Sequence, residues 1–126
     1  MLRCGDCSEV RVTRVIDGDT FDTPSGRIRL FGVDTPAIGQ RCAAEATRRL
    51  NDLAGGTVRL EDGPRLTDQF GRRLAYVYTK DGNSVDEILV REGIGAAWTE
   101  DGQHRDFLVG LERGTRMMDD GCLWSQ

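Results

Sequence analysis

The sequence lacks the features that mark several classes of protein. Histidine occurs once, at His104, aromatic residues make up 6% of the chain, and internal repeats and low-complexity runs are absent. No apolar run approaches the roughly 18 residues that a membrane-spanning helix needs, so we expect no membrane partner. The 126 residues are enough to bury the core of one soluble domain, predicted over 1–126 with 1–9 as an N-terminal extension.

The chain also lacks the excess of basic residues that a broad nucleic-acid-binding face requires. Lys and Arg number 17 against 21 Asp and Glu, which gives a net charge of −4 and a pI of about 5.0. Binding of phosphate groups would therefore depend on a few focused arginines, helped by a cation.

Cysteine is present at four positions, with two possible uses. The residues are Cys4, Cys7, Cys42 and Cys122, and the first two have the spacing of a metal knuckle. No second Cys-x-x-Cys follows, so a zinc site would need the two isolated cysteines as well. Two disulfides are the favoured alternative, and they indicate an oxidising compartment, extracellular or periplasmic.

Two apolar runs end abruptly in an acidic residue followed by a threonine. They are 15–20 (VIDGDT) and 32–36 (GVDTP), and a strand that carries Arg29 lies between them. Asp-Gly pairs alone are typical of ordinary turns. Two acidic strand ends with an arginine between them instead indicate carboxylates and a guanidinium that converge on one metal-assisted phosphate site.

The hydrophobic periodicity predicts an α+β fold that is mainly β. Alternating patterns predict strands over 10–17, 20–23, 27–31, 58–60 and 74–79, and 61–70 is predicted to be a loop. Helical spacing predicts helices over 42–53, from a cap at Ser84 through Val90, and over about 104–118. Five strands with about three helices predict a small closed barrel of the OB type.

Four segments in this order resemble the staphylococcal nuclease (thermonuclease) family. They are 15–20 (VIDGDT), 29–36 (RLFGVDTP), 68–78 (DQFGRRLAYVY) and 89–93 (LVREG). The resemblance extends from about residue 10 to residue 124. It implies a five-stranded OB-fold barrel and calcium-dependent hydrolysis of DNA and RNA phosphodiesters, with 3′-phosphate products and little sequence preference. Single-stranded or frayed nucleic acid would be the preferred partner of a monomeric protein.

The same motifs imply roles for individual residues. Asp19 and Asp34 would provide carboxylate ligands to Ca²⁺, and the main-chain carbonyl of Thr35 a third oxygen. Arg29 and Arg72 would hold the scissile phosphate, because a planar guanidinium matches phosphate oxygens and keeps its charge. The alternatives are that Arg29 pairs with a carboxylate across strands and that Arg72 is a solvated turn residue.

The largest departure from the family pattern is Ala37, at the position of the glutamate taken to activate the attacking water. Alanine cannot accept a proton, and loss of a general base typically costs about 10² to 10⁴ in rate. Ala37 is either an engineered inactivation of an enzyme or natural to a binding module with a relict site. A protein-interaction module that binds no phosphate is a third possibility, against which the retained Asp19, Asp34, Arg29 and Arg72 argue.

Smaller departures affect the grip on substrate. Gln69-Phe70 replaces a lysine-tyrosine pair, so Phe70 could stack on or pack against a nucleotide but has no hydroxyl to donate. The aromatic residues expected at Thr99 and Asp101 are missing. Trp98 is interpreted as a core or rim residue in preference to a stacking platform.

The positions of the cysteines in the predicted elements suggest how they pair. Cys42 begins the first helix and Cys122 lies beside the C-terminal Trp124, so we predict a Cys42–Cys122 disulfide between tail and helix. Cys4–Cys7 would form the second, local disulfide. His104 is interpreted as a capping or surface residue of structural importance only.

Overall fold

Eight short strands and four helices form from residues 1–125, which are the residues that the computed structural model describes. The strands are β1 (Ser8–Arg11), β2 (Arg14–Asp17), β3 (Thr20–Thr23), β4 (Gly26–Leu30), β5 (Val33–Asp34), β6 (Thr57–Glu61), β7 (Arg73–Thr79) and β8 (Ala96–Ala97). The helices are α1 (Ala43–Ala54), α2 (Val85–Arg91), α3 (Arg105–Met117) and α4 (Gly121–Trp124). The predicted mainly-β α+β class is confirmed.

The main sheet has six strands in the order β1-β6-β7-β4-β3-β2, and only the β4–β7 pair is parallel. Strands β1 and β2 lie at opposite edges of this sheet, yet only Val12 and Thr13 separate them in the chain. The sheet must therefore curl so that its edges approach, as in an OB-like architecture. The amide of Val12 donates to Gly56 O beside β6, whereas the amide of Thr13 donates to Asp22 O in β3.

The strand and helix counts from the sequence need correction. The predicted strand over 10–17 is two strands, because the chain changes partner at Val12–Thr13 and leaves no break in the apolar pattern. The additional β5–β8 ladder has two residues in each strand, and α4 has four. Elements this short contain too few residues to produce a hydrophobic period.

Helices α1 and α2 cover the curled sheet. Ala46 and Leu50 of α1 are fully buried, and this apolar stripe packs the helix on the sheet. The Ser84 hydroxyl accepts a hydrogen bond from the amide of Glu87 (2.9 Å), so the predicted cap of α2 is present. None of the helices in residues 1–125 has the length and apolar character that crossing a bilayer requires.

Both predicted disulfides are present. Cys42, just before α1, is bonded to Cys122 in α4 across a sequence separation of 80, and Cys4 is bonded to Cys7. No cysteine is free in the described part of the chain. The zinc alternative is therefore incompatible with this structure, since disulfide sulfurs are not thiolate ligands.

Candidate active site

Asp19 lies in the turn between β2 and β3, just after a register shift between Val15 and Asp17 in β2. Its residue surface is only 5% exposed. One carboxylate oxygen accepts a hydrogen bond from the Thr20 hydroxyl (3.0 Å), and the other accepts one from the amide of Thr35 (2.9 Å). This second contact joins the two acidic strand ends, because Thr35 directly follows Asp34 and lies 16 residues from Asp19 in sequence.

Asp34 ends β5, which pairs with β8, and it keeps an exposed side chain. Arg29 reaches it from β4, where Arg29 lies opposite Thr20 in the register. One guanidinium nitrogen, Nη2, lies 2.6 Å from Asp34 Oδ1 and 3.4 Å from Asp19 Oδ2. The folded strands thus bring Asp19, Asp34 and Arg29 to one place. Arg29 therefore pairs with carboxylates, as one of its two predicted roles has it, and its contact with phosphate stays a prediction.

The surroundings of these carboxylates are rich in oxygen atoms. Burial and the nearby charge of Asp19 raise the pKa of Asp17, which also accepts a hydrogen bond from the Asp19 amide. The Thr35 hydroxyl is buried and has no hydrogen-bond partner among the described residues. Carboxylate oxygens are donors that Ca²⁺ prefers.

A calcium ion would fit this donor set, but with few protein ligands. In residues 1–125, the sites with three or more clustered Cys, Asp, Glu or His ligands are Cys4-Asp6-Cys7 and Cys42-Glu45-Cys122. Both contain disulfide sulfurs. The strand ends offer two carboxylates, so water and substrate oxygens would have to complete a shell of six to eight ligands.

Asp68 organises the connection between β6 and β7, which carries the second predicted arginine. Its carboxylate accepts hydrogen bonds from the amides of Phe70 and Arg72 (2.9 Å each) and from Arg72 Nε (2.6 Å). Burial raises the pKa of Asp68, but these hydrogen bonds outweigh it and lower the pKa below its usual value. The Arg72 guanidinium also lies 5.6 Å from the centroid of the Phe70 ring. The Arg72 side chain is thus fixed by Asp68 and packs near Phe70.

Arg29 and Arg72 line one cavity of about 380 Å³. Phe70, Leu74 and Trp98 contribute apolar surface to the same cavity. Phe70 as a whole residue is 74% exposed. The cavity therefore combines guanidinium groups with aromatic walls, which suits a ligand that has both phosphate and planar rings.

Ala37 lies on the exposed loop that follows Asp34. Its amide donates to the side chain of Gln40 (2.9 Å), and its carbonyl accepts from the Gln40 amide (2.9 Å). Gln40 thus closes a local turn, and its side-chain oxygen is already engaged. The Gln40 amide group accepts hydrogen bonds but cannot act as a general base at neutral pH.

The sequence analysis did not identify the pair formed by Arg65 and Asp101 at the cavity. Arg65 lines the cavity and forms two hydrogen bonds to Asp101, Nε–Oδ2 at 2.6 Å and Nη2–Oδ1 at 3.1 Å. Trp98 Nε1 donates to the same carboxylate (2.8 Å). Arg65 lies in the predicted loop over 61–70, where no periodicity indicates a direction, and only charge complementarity with Asp101 could have suggested the pair.

The His104 side chain is not a cap, contrary to one of its two predicted roles, and it contacts neighbouring elements instead. It precedes α3 without a side-chain capping bond. Its Nε2 lies 2.8 Å from Glu61 Oε1, and its ring packs edge-on against Tyr76. The histidine therefore links β6, β7 and α3 outside the carboxylate group.

Comparison with known proteins agrees with this fold. The family model described as staphylococcal nuclease homologue matches residues 27–126. An uncharacterized endonuclease of Escherichia coli O157:H7 is 36% identical, over 94% of this chain and 80% of its own length. A micrococcal nuclease of Shigella flexneri is 32% identical (90% and 72%), and the thermonuclease of Staphylococcus intermedius is 36% identical (68% and 57%).

The fold and the similarities define a nuclease-type domain. The chain belongs to the staphylococcal nuclease family.

Proposed function

We propose that this protein is a calcium-dependent, sugar-non-specific nuclease scaffold whose activity is impaired by Ala37. The observation that supports it best is the position of Arg29, whose Nη2 contacts both Asp19 and Asp34 while its side chain lines a cavity with Arg72. Cations and carboxylates that meet at one cavity suit hydrolysis of a phosphodiester, in which negative charge builds on the phosphate oxygens.

Asp19, Asp34 and the Thr35 carbonyl would hold Ca²⁺. Bound there, Ca²⁺ would supply Lewis-acid stabilisation of the phosphate oxygens. Asp19 is already fixed by its two hydrogen bonds, whereas Asp34 is exposed and can turn toward solvent. Two protein carboxylates predict weak affinity, in the range of about 10⁻⁴ to 10⁻³ M.

Arg29 and Arg72 would bind the scissile phosphate and stabilise its transition state. A water molecule would attack phosphorus in line with the departing 5′ oxygen, so the chain breaks into a 3′-phosphate and a 5′-hydroxyl. Phe70, exposed beside Arg72, would contact a nucleotide of a single-stranded or frayed segment. DNA and RNA would both serve, because none of these contacts requires or rejects a 2′-hydroxyl.

Ala37 favours a second function, a non-catalytic nucleic-acid- or nucleotide-binding module. Its methyl group cannot take the proton of the attacking water. The phosphate-binding groups are nevertheless retained, so binding would survive where hydrolysis is slow. We favour the impaired enzyme because both proposed metal carboxylates and both arginines are present together.

The protein would act as a monomer, as one domain over 1–126, in an extracellular or periplasmic setting. The two disulfides support this location, since they persist in oxidising compartments.

Substitution Ala37→Glu tests the proposal. We expect it to raise the rate of DNA cleavage by about 10² to 10⁴, with calcium required and chelator abolishing the gain. Products should carry a 3′-phosphate, which end-labelling detects. Ala37→Gln is the matched control, because it adds a similar side chain without a base. Binding of oligonucleotide without any rescue by glutamate would support the binding module instead.

A further inference from the structure

Arg65 is held as a flat cationic surface on the wall of the cavity. Its guanidinium carbon lies 5.2 Å from the centroid of Phe31 and 5.8 Å from that of Trp98. Asp101 fixes the Nε and Nη2 edge with two hydrogen bonds and is itself fixed by Trp98 Nε1. Two aromatic contacts and a two-point ion pair thus restrict both the position and the plane of this side chain.

In this arrangement the Arg65 guanidinium is better suited to stacking through its plane than to binding phosphate through its edge. Asp101 occupies one hydrogen-bonding edge and neutralises the charge, which weakens any attraction of Arg65 for phosphate. The pKa of Asp101 is lowered, above all by its hydrogen bond from Arg65, so the pair remains ionised. Arginine planes and aromatic rings both accept stacked nucleobases, and they do so with little sequence preference.

The cavity places this surface within reach of the proposed phosphate site. Arg65 lines it together with Arg29, Arg72 and Trp98. A volume of about 380 Å³ lies within the usual range for small-ligand sites. A nucleotide whose phosphate contacts Arg29 and Arg72 would therefore have its base close to Arg65.

We propose that Arg65, held by Asp101 against Phe31 and Trp98, is a substrate-binding platform on which a nucleobase next to the scissile phosphate stacks. This inference rests on the proposed nucleic-acid site and specifies how one of its nucleotides is held. The competing roles are a direct contact from Arg65 to a flanking phosphate and a purely structural ion pair.

The test measures binding of a phosphorothioate thymidine trinucleotide to the protein in the presence of calcium, at several salt concentrations. Versions that lack one base at a time are titrated in parallel. We expect Arg65→Ala to weaken binding of the complete trinucleotide about tenfold, with an unchanged salt slope. The difference between the complete probe and one abasic version should disappear in this variant.

Two further variants make the result interpretable. Arg65→Lys retains a positive charge but not the plane, so it should lose affinity as Arg65→Ala does; it also serves if the alanine variant does not fold. Arg49→Ala is the control, since Arg49 forms the same two-point pair, with Glu92, and does not line the cavity. Its affinity should match that of the parent chain.

Three results would overturn the inference. Unchanged affinity in Arg65→Ala would leave only a structural ion pair. Equal loss for complete and abasic probes, with a smaller salt slope, would indicate a phosphate contact. Failure of the parent chain to bind any probe would contradict the proposed function as well, whereas the first two results leave that function intact.

Discussion

The candidate site has two halves that are built differently. The strand-held half consists of Asp19, Asp34 and Arg29, which are positioned by the β3–β4 ladder and by β5. The loop-held half consists of Arg65 and Arg72 on the connection between β6 and β7, with Asp68 and Asp101 as their acidic partners. Both halves contain ion pairs, but strand pairing positions the backbone of the first half, whereas the second half lies on irregular segments.

We relate this structural difference to two roles, catalysis and substrate binding. Groups that must meet one phosphorus atom need positions accurate to fractions of an ångström, and sheet hydrogen bonds provide this. Groups that bind varied nucleotides tolerate a loop, whose composition can change without loss of the barrel. We therefore expect substitutions in the strand-held half to affect rate, and those at Arg65 and Asp68 in the loop-held half to affect affinity. Substitution of Arg72, which would also stabilise the transition state, should affect both.

The largest effect should come from Arg29→Lys in the Ala37→Glu background. Lysine keeps the charge but loses the planar fork, and we expect kcat to fall by about 10² to 10³. Arg27→Lys, on the same strand and paired with Asp22, is the control and should retain activity in a single-stranded DNA cleavage assay. A loss confined to KM would contradict a catalytic role for Arg29.

Asp86 lies in the core next to the strand-held half, and its carboxyl group predicts a dependence of stability on pH. Its buried carboxylate accepts hydrogen bonds from the amides of Gly32 (2.8 Å) and Val77 (2.9 Å), and burial raises its pKa from 3.8 to about 6. A carboxyl whose folded-state pKa is raised contributes stability at low pH that is lost as pH rises through about 6.

Urea unfolding of the parent chain and of Asp86→Asn measures this contribution. Between pH 4 and pH 7 the free energy of unfolding of the parent should fall relative to the variant by on the order of 3 kcal/mol. Parallel pH profiles for the two proteins would contradict it.

Asp68 should behave oppositely, because its lowered pKa contributes stability that is lost only as pH falls into the acidic range.

The smallest effect should come from Asp68→Asn in the loop-held half. An asparagine oxygen cannot replace all three hydrogen bonds to Phe70 and Arg72, so we expect binding of a single-stranded oligonucleotide to weaken about tenfold. Asp62→Asn, whose partner Arg73 lies outside the cavity, should leave affinity unchanged. If Asp68→Asn and the parent chain bound calcium with different affinities, the proposed separation of roles between the two halves would be wrong.

The sequence predicted the strand-held half better than the loop-held half. The hairpin predicted over 20–31 forms β3 and β4, because alternating apolar residues specify which face each side chain occupies. Arg29 and Asp34 could therefore be placed near each other before their contact was known. Arg65 and Asp101 are 36 residues apart and lie in irregular segments, so only the folded chain brings them together.

The errors in the fold have a similar origin. The crossing at Val12–Thr13 depends on which strand provides the next hydrogen-bond partner, and that information is not local. The Cys42–Cys122 disulfide was predictable because Cys42 could be placed at the start of the first helix and Cys122 beside Trp124. Cys4–Cys7 then remained as the local pair. The roles of Asp19, Asp34, Thr35, Arg29, Arg72, Phe70 and Ala37 stay predictions.

The most direct test of the central claim is a calorimetric calcium titration of the parent chain with and without oligonucleotide. We predict binding with a Kd of about 10⁻⁴ to 10⁻³ M, tightened by the oligonucleotide and abolished by Asp34→Asn, while Asp22→Asn has no effect. Absence of calcium binding, or binding that is indifferent to Asp34→Asn, would contradict a calcium–phosphate centre at the strand-held half.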